Sequence, residues 1–271
     1  MPTATIEGQA LHYKIHTGGP QPKGPALLLL HGAGGNLMHW PGELRRLAGR
    51  TVIGVDLPGH GHSAGPGRRD IGAYAEIVRA LVEKLALPHF VVAGHSMGGA
   101  IALELALGAP SRLAGLILVG TGARLRVAPQ VLQGIESDFA ATTTLLAEWT
   151  HAPAADPNLL RLYARRLRET PAEVLRDDFL ACDAFDRRSD LAAIAVPTLI
   201  LCGDADRMTP VKYSQFLRDE IRNSQLVVVP GAGHMVVLER PAAVTAAIDA
   251  FLHDAAHEVR TGAPGKMDTD R

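Results

Sequence analysis

The run Phe90-Val91-Val92-Ala93-Gly94-His95-Ser96-Met97-Gly98-Gly99-Ala100 changes character at its middle. Its first four residues are apolar and suit a buried strand. From Met97 to Leu107 the chain is rich in Ala and Leu and reads as a helix. Between the two lies Gly94-His95-Ser96-Met97-Gly98, a serine with a glycine two residues to either side. A chain that passes at once from strand to helix holds that serine in a strained backbone conformation with its hydroxyl above the sheet. Neighbouring backbone then comes too close for a Cβ at Gly94 or Gly98. The helix start beneath favours negative charge developing nearby. G-x-S-x-G in this strand–turn–helix setting makes Ser96 the candidate nucleophile.

Outward from this turn, short β-type runs alternate with longer helical patterns. Thr5 to Glu7 and Leu11 to His16 form an opening hairpin, and Ala26 to His31 is a buried strand leading into Gly32-Ala33-Gly34-Gly35. A helix around Pro41 to Leu47, a strand from Thr51 to Asp56 and a helix from Ile71 to Leu85 follow. His89 to Ala93 and Leu113 to Val119 are the strands that flank the helix after Ser96. Later come strand Thr198 to Cys202, helix Val211 to Ile221, strand Leu226 to Val229 and a closing helix from Pro241 to about His253. Alternating apolar strands and helices imply a largely parallel sheet covered on both faces.

The alternation lapses between about Gly122 and Ala195, where helical pattern carries many charges: Arg161, Arg165, Arg166, Arg168, Glu173, Arg176, Asp177 and Asp178. Interleaved acids and bases read as a solvated helix face rather than a phosphate or nucleic-acid site. The segment is expected to be a helical cap over the carboxyl ends of the strands.

With 271 residues, 47% of them hydrophobic, the chain can bury one sizeable core. A formal net charge of −1 gives no field that selects nucleic acid or an anionic membrane. Cys182 and Cys202 are read as free thiols of a reducing compartment. The first residues lack a basic stretch followed by a long apolar one, and no apolar run is long enough to span a bilayer. A cytoplasmic protein without a membrane span, monomeric or homodimeric, is the expectation.

Four separated motifs now stand in order: His31-Gly32-Ala33-Gly34-Gly35, Asp56-Leu57-Pro58-Gly59-His60-Gly61-His62-Ser63, Gly94-His95-Ser96-Met97-Gly98-Gly99, and the late Asp206 and His234. Together they resemble the α/β-hydrolase superfamily, in particular its capped esterases, lipases and carbon–carbon-bond hydrolases. The resemblance covers about residues 25 to 120 and 195 to 253. It implies a mostly parallel eight-stranded sheet with helices on both faces, a core of residues 1–121 and 196–256 and a helical cap of 122–195; the last residues lack periodicity, and 257–271 is expected to be a disordered tail.

The same resemblance implies a chain order of nucleophile, acid, histidine. A serine hydroxyl needs a base within hydrogen-bond reach. His234 stands in the glycine-bearing loop Pro230-Gly231-Ala232-Gly233-His234-Met235, whereas His151 reads as a cap surface residue and His253 and His257 as exposed helix positions. The loop Gly203-Asp204-Ala205-Asp206 offers two carboxylates; the superfamily pattern places the acid third after the strand-terminal glycine, which selects Asp206 and leaves Asp204 as a turn former. By resemblance the oxyanion donors are the backbone N–H groups of Met97 and Ala33, with Gly34 as the near alternative. His31 is expected to brace its loop, and His60 and His62 to be structural, with no metal or organic cofactor called for.

Ser96 argues against the dehalogenases and epoxide hydrolases of the superfamily, which carry an aspartate there. Carbon–carbon-bond hydrolases share the Met-Gly-Gly continuation, but many have a tryptophan after the histidine, where this chain has Met235. The implied reaction is cleavage of a small-molecule ester or lactone with short to medium acyl groups. Carbon–carbon-bond hydrolysis is the alternative, and a ligand-binding scaffold without turnover is a third reading. Aromatic content of 4% implies an aliphatic pocket, for which Gly32, Gly34, Leu132, Ile135, Phe139 and Met235 are candidates.

Overall fold

Strands β3 (Ala26–Leu30), β5 (Phe90–His95) and β7 (Thr198–Gly203) are buried at every residue. Apolar side chains on both faces of a strand require cover on both sides. In the computed structural model, which describes residues 2–108 and 111–261, they lie inside an eight-stranded sheet. The remaining strands are β1 (Thr3–Ile6), β2 (Gln9–Thr17), β4 (Thr51–Val55), β6 (Leu113–Val119) and β8 (Ser224–Val229). Their order across the sheet is β1-β2-β4-β3-β5-β6-β7-β8. Only the β1–β2 and β2–β4 pairings are antiparallel.

The helices are α1 (Gly42–Arg45), α2 (Ile71–Lys84), α3 (Met97–Leu107), α4 (Pro129–Ser137), α5 (Phe139–Thr150), α6 (Pro157–Leu167), α7 (Ala172–Ala184), α8 (Val211–Glu220), α9 (Val236–Glu239) and α10 (Pro241–Thr261). Helix α2 buries Ile71, Tyr74, Ile77, Val78, Leu81 and Val82, the stripe its periodicity predicts, and Asp70 caps it by accepting from Ala73 N–H at 2.9 Å. One core cluster packs α2 and α3 on one sheet face around Leu28, Val92 and Leu118. A second cluster joins the other face, through Leu27, Val91 and Ile117, to α10 and to cap residues.

Helices α4–α7 all fall between β6 and β7. The closing helix runs to Thr261 rather than ending near His253, so residues 257–261 are helical where a tail was expected. The rest of that expected tail, 262–271, lies outside the described residues. Cys182 and Cys202 are both free and buried. No described helix is long and apolar enough to cross a membrane.

Candidate active site

Ser96 sits between β5 and α3 with φ 54° and ψ −118°, a left-handed conformation that few non-glycine residues adopt. The turn closes so tightly that a Cβ on Gly94 would overlap the Gly98 carbonyl, and one on Gly98 would overlap the carbonyl of Leu30. These are the close approaches that make glycine obligatory on both sides of the serine.

His234 and Asp206 arrive from two other loops at the carboxyl edge of the sheet. His234 Nδ1 lies 2.9 Å from Asp206 Oδ2, and both side chains are buried. Asp206 Oδ1 also accepts the N–H groups of Met208 at 2.8 Å and Thr209 at 2.9 Å, and Oδ2 accepts the Thr209 hydroxyl at 2.8 Å. Burial works to raise the Asp206 pKa, but the charge of His234 and these hydrogen bonds outweigh it and hold the carboxyl below its ordinary value. Asp204 instead accepts the Gly231 N–H at 2.7 Å and ties the acid loop to the histidine loop. Ser96 and His234 line the same two cavities, and no hydrogen bond joins them among the described residues. Such a bond commonly tightens only once substrate is bound.

The Ala33 and Met97 N–H groups have no protein acceptor among the described residues, as expected for a loop amide and for the first residue of a helix. The Gly34 N–H is already committed: it donates to Asp178 Oδ2 at 2.8 Å. The near alternative to Ala33 as an oxyanion donor is thereby occupied. His31 braces this loop as a neutral ring, since its Nδ1 must donate to the Gly32 carbonyl at 2.8 Å while its Nε2 accepts the Leu57 N–H at 3.0 Å. Burial, followed by the nearby His60, keeps its pKa well below the ordinary value. Asp56 organises the rest of the loop, accepting Leu37 N–H at 2.8 Å and His62 N–H at 3.0 Å, with His12 Nδ1 at 2.7 Å.

Asp178 corrects the reading of the cap charges. It lies on α7 with none of its surface exposed, so it is no part of a solvated face. Its carboxylate accepts from Gly34 N–H, from His60 Nε2 at 2.8 Å and from the Tyr74 hydroxyl at 2.6 Å. His60 Nδ1 faces the Pro58 carbonyl at 3.0 Å. Both ring nitrogens of His60 therefore meet acceptors, which calls for the imidazolium. Burial alone would lower its pKa, but Asp178 and the Pro58 carbonyl outweigh that and raise it. Thr170, also from the cap, donates its hydroxyl to the Gly34 carbonyl at 3.0 Å. The Gly34 residue is thus held at both ends by cap side chains.

The histidine loop is held the same way. Met235 N–H donates to the Thr150 carbonyl at 2.8 Å, and the Glu239 carboxylate accepts both Gly233 N–H and the cap's Ala152 N–H at 2.9 Å. His95 Nε2 donates to the His234 carbonyl at 2.9 Å. Burial first, then the neighbouring His234, lowers the His95 pKa to about 3. Asp178, Thr170, Thr209, Glu239 and His95 all escaped the sequence reading. Thr209 and His95 had a signal in their nearness to Asp206 and Ser96, but Asp178 stands 144 residues from the amide it holds.

Two narrow cavities, of about 30 and 40 Å³, meet at Ala33, Ser96, Phe179, Met208 and His234. The first is roofed by Leu146 and Thr150 of α5 and Tyr163 and Leu167 of α6, with Gly32 in its wall. Of the other expected pocket residues, Leu132, Ile135 and Phe139 pack within the second core cluster instead. Leu132 and Ile135 belong to α4, which lies against α5 and α7, and Phe139 is the first residue of α5, whereas Leu146 and Thr150 at the other end of α5, with residues of α6 and α7, line the cavity. Gly34 faces Leu167 and Leu175, and Met235 is buried outside the cavity walls. His151, expected at the surface, is fully buried, edge-on to Tyr163 with ring centroids 4.9 Å apart. His253 is exposed; the side chain of His257 lies outside the described residues.

The sequence profile of the alpha/beta hydrolase family matches residues 27–248. A dihydrolipoyllysine-residue acetyltransferase component of an acetoin cleaving system from Pseudomonas putida is 36% identical over 84% of this chain, which spans 64% of that longer protein. A pimeloyl-(acyl-carrier protein) methyl ester esterase from Pectobacterium carotovorum is 33% identical over 83% of this chain and 93% of its own length. Among solved structures, the enol-lactonase from Burkholderia xenovorans LB400 superposes with a TM-score of 0.85 at 25% identity, covering 93% of this chain and all of that one (100%).

Proposed function

Because the chain belongs to the alpha/beta hydrolase family, we propose that it is a carboxylic ester hydrolase in which Ser96 is the nucleophile, His234 the general base and Asp206 the residue that orients His234. The observation that carries this reading is the buried Asp206–His234 pair at the junction of two cavities that also holds the strained Ser96. Asp206, kept ionised by its donors, fixes the His234 tautomer with Nδ1 protonated and Nε2 free to take a proton. Ser96 Oγ attacks the ester carbonyl as His234 removes its proton. The tetrahedral oxyanion takes hydrogen bonds from the Ala33 and Met97 N–H groups. His234 returns the proton to the leaving alcohol, and water repeats the sequence on the acyl-enzyme to release the acid.

The narrow cavities favour short to medium acyl groups or a lactone ring over long triglyceride chains. Hydrolysis of p-nitrophenyl acetate and butyrate by the wild type and by Ser96→Ala, with a fluorophosphonate label followed by peptide mass analysis, tests the assignment. The expected result is turnover that the variant abolishes and a label on Ser96. Turnover that survives Ser96→Ala, or a label elsewhere, overturns it.

A further inference from the structure

The second cavity at Ser96 lies beside a pocket at the protein surface. Past Leu125, Val127 and Met208 it reaches Arg126 and Tyr213. The same two residues line a wider surface pocket of about 350 Å³, which Ala123, Arg124, Arg188, Lys212 and Phe216 complete. The cavity at Ser96, an apolar neck, and a surface mouth whose charged lining is entirely cationic therefore share the Arg126 and Tyr213 side chains. Phe216 is 37% exposed there and offers an uncovered aromatic wall.

Nearby carboxylates compensate this charge only in part. Asp186 lies 2.7 Å from Arg188 and 3.5 Å from Arg124, and Asp183 lies 3.6 Å from Arg126. Four cations thus face two carboxylates, and Lys212 has no ion-pair partner among the described residues. The Arg126–Asp183 contact runs through Nε, which leaves the Nη edge of the guanidinium for a second oxygen ligand. A concave mouth with apolar walls concentrates the field of such charges on whatever enters it.

We propose that the substrate is an ester or lactone one arm of which ends in a carboxylate, with the hydrocarbon part of that arm in the neck and the carboxylate at Arg126 and Lys212. This rests on the ester-hydrolase reading and adds the substrate class to it. The second cavity, about 40 Å³ in all, suits one slender chain, whereas the wider mouth accepts the hydrated charged end.

Two matched pairs of esters test it: p-nitrophenyl hexanoate against the p-nitrophenyl half-ester of adipate, with the charge on the acyl side, and para-tolyl acetate against para-acetoxybenzoate, with the charge on the alcohol side. Each kcat/KM is taken above the Ser96→Ala background, for the wild type and for Arg126→Gln/Lys212→Gln. The readout is how the anionic-to-neutral ratio changes between the two proteins, so a general loss of rate or a difference in leaving group cancels. In at least one pair the ratio should be about 3- to 10-fold higher in the wild type, as expected for partly exposed charge pairs. An unchanged ratio in both pairs overturns the inference and leaves the hydrolase standing; no Ser96-dependent turnover of any ester overturns both.

Discussion

Replacing Asp178 should damage catalysis as well as stability, although its carboxylate touches neither Ser96 nor His234. Asp178→Ala removes the acceptor of three donors, the Gly34 N–H, the His60 ring and the Tyr74 hydroxyl. Removing one partner of a buried charge pair costs about 3–5 kcal/mol. For a chain of this size that lowers Tm by roughly 10 °C. Asp178→Asn retains the shape and one acceptor oxygen but not the charge, so about 1–3 kcal/mol is expected. The Gly34 N–H loses its acceptor in Asp178→Ala and the charge of that acceptor in Asp178→Asn, so Thr170 alone holds Gly34 at full strength and the adjoining Ala33 N–H is less firmly directed. Complete loss of an oxyanion donor lowers kcat by about 10²–10³; loosening without loss should lower it by roughly tenfold, with KM little changed. The assay is kcat and KM on a soluble aryl butyrate well below the variant's Tm, alongside calorimetry. A second readout separates positioning from mere packing. The raised His60 pKa means that the pair's contribution is complete below the ordinary histidine value and is lost as pH rises through the raised one. Wild-type stability should therefore carry an alkaline decline that Asp178→Asn lacks. A variant whose kcat per folded molecule stays within about twofold of wild type while its Tm falls would refute the positioning role.

Thr209→Val deletes one of the four hydrogen bonds to the Asp206 carboxylate and leaves the Thr209 N–H in place. A loss of about 1 kcal/mol, roughly fivefold in kcat/KM at neutral pH, is expected, and an unchanged rate would show that the two backbone donors suffice to orient the acid. Acid should destabilise the fold well before carboxylates protonate. His95 stays neutral down to about pH 3 in the folded chain but takes a proton near the ordinary histidine value when unfolded. Its contribution is present above that value and is lost as pH falls toward the folded one, by about 2 kcal/mol at pH 5. Urea titrations of the wild type and His95→Gln at pH 7 and pH 5 measure this, and an equal pH dependence in the two proteins would contradict it.

Most of the sheet was legible in the sequence because its signals are local. A strand buried on both faces must be a continuous apolar run, as Ala26–Leu30 is, and the Ser96 turn needs glycine wherever backbone passes backbone. The bounds of α3 and β6 follow from such patterns without help from distant residues. The loops of Asp206 and His234 were also readable, since each follows a strand, although the choice of Asp206 over Asp204 came from the family resemblance. The inner face of the cap was not. Amphipathic periodicity tells that a helix buries one side, but not against what, so Leu132, Ile135 and Phe139 were placed at the site when Leu146, Thr150, Tyr163, Leu167 and Phe179 supply its walls.

Asp178 marks the same limit most sharply. Beside Asp177 in a charged helix it has the composition of a solvated face, and only the packing of α7 against the loops of His31 and His60 turns it inward. A buried carboxylate is tolerable only where donors converge on it. Those donors come from residues 34, 60 and 74, separated from it by more than a hundred positions. The sequence by itself therefore determined which backbone could form and where the residues proposed as nucleophile, acid and base stand along it. The tertiary structure decided which charges are buried, which loop amides keep a protein acceptor, and which side chains line the cavities at Ser96, because each of these depends on groups brought together only by folding.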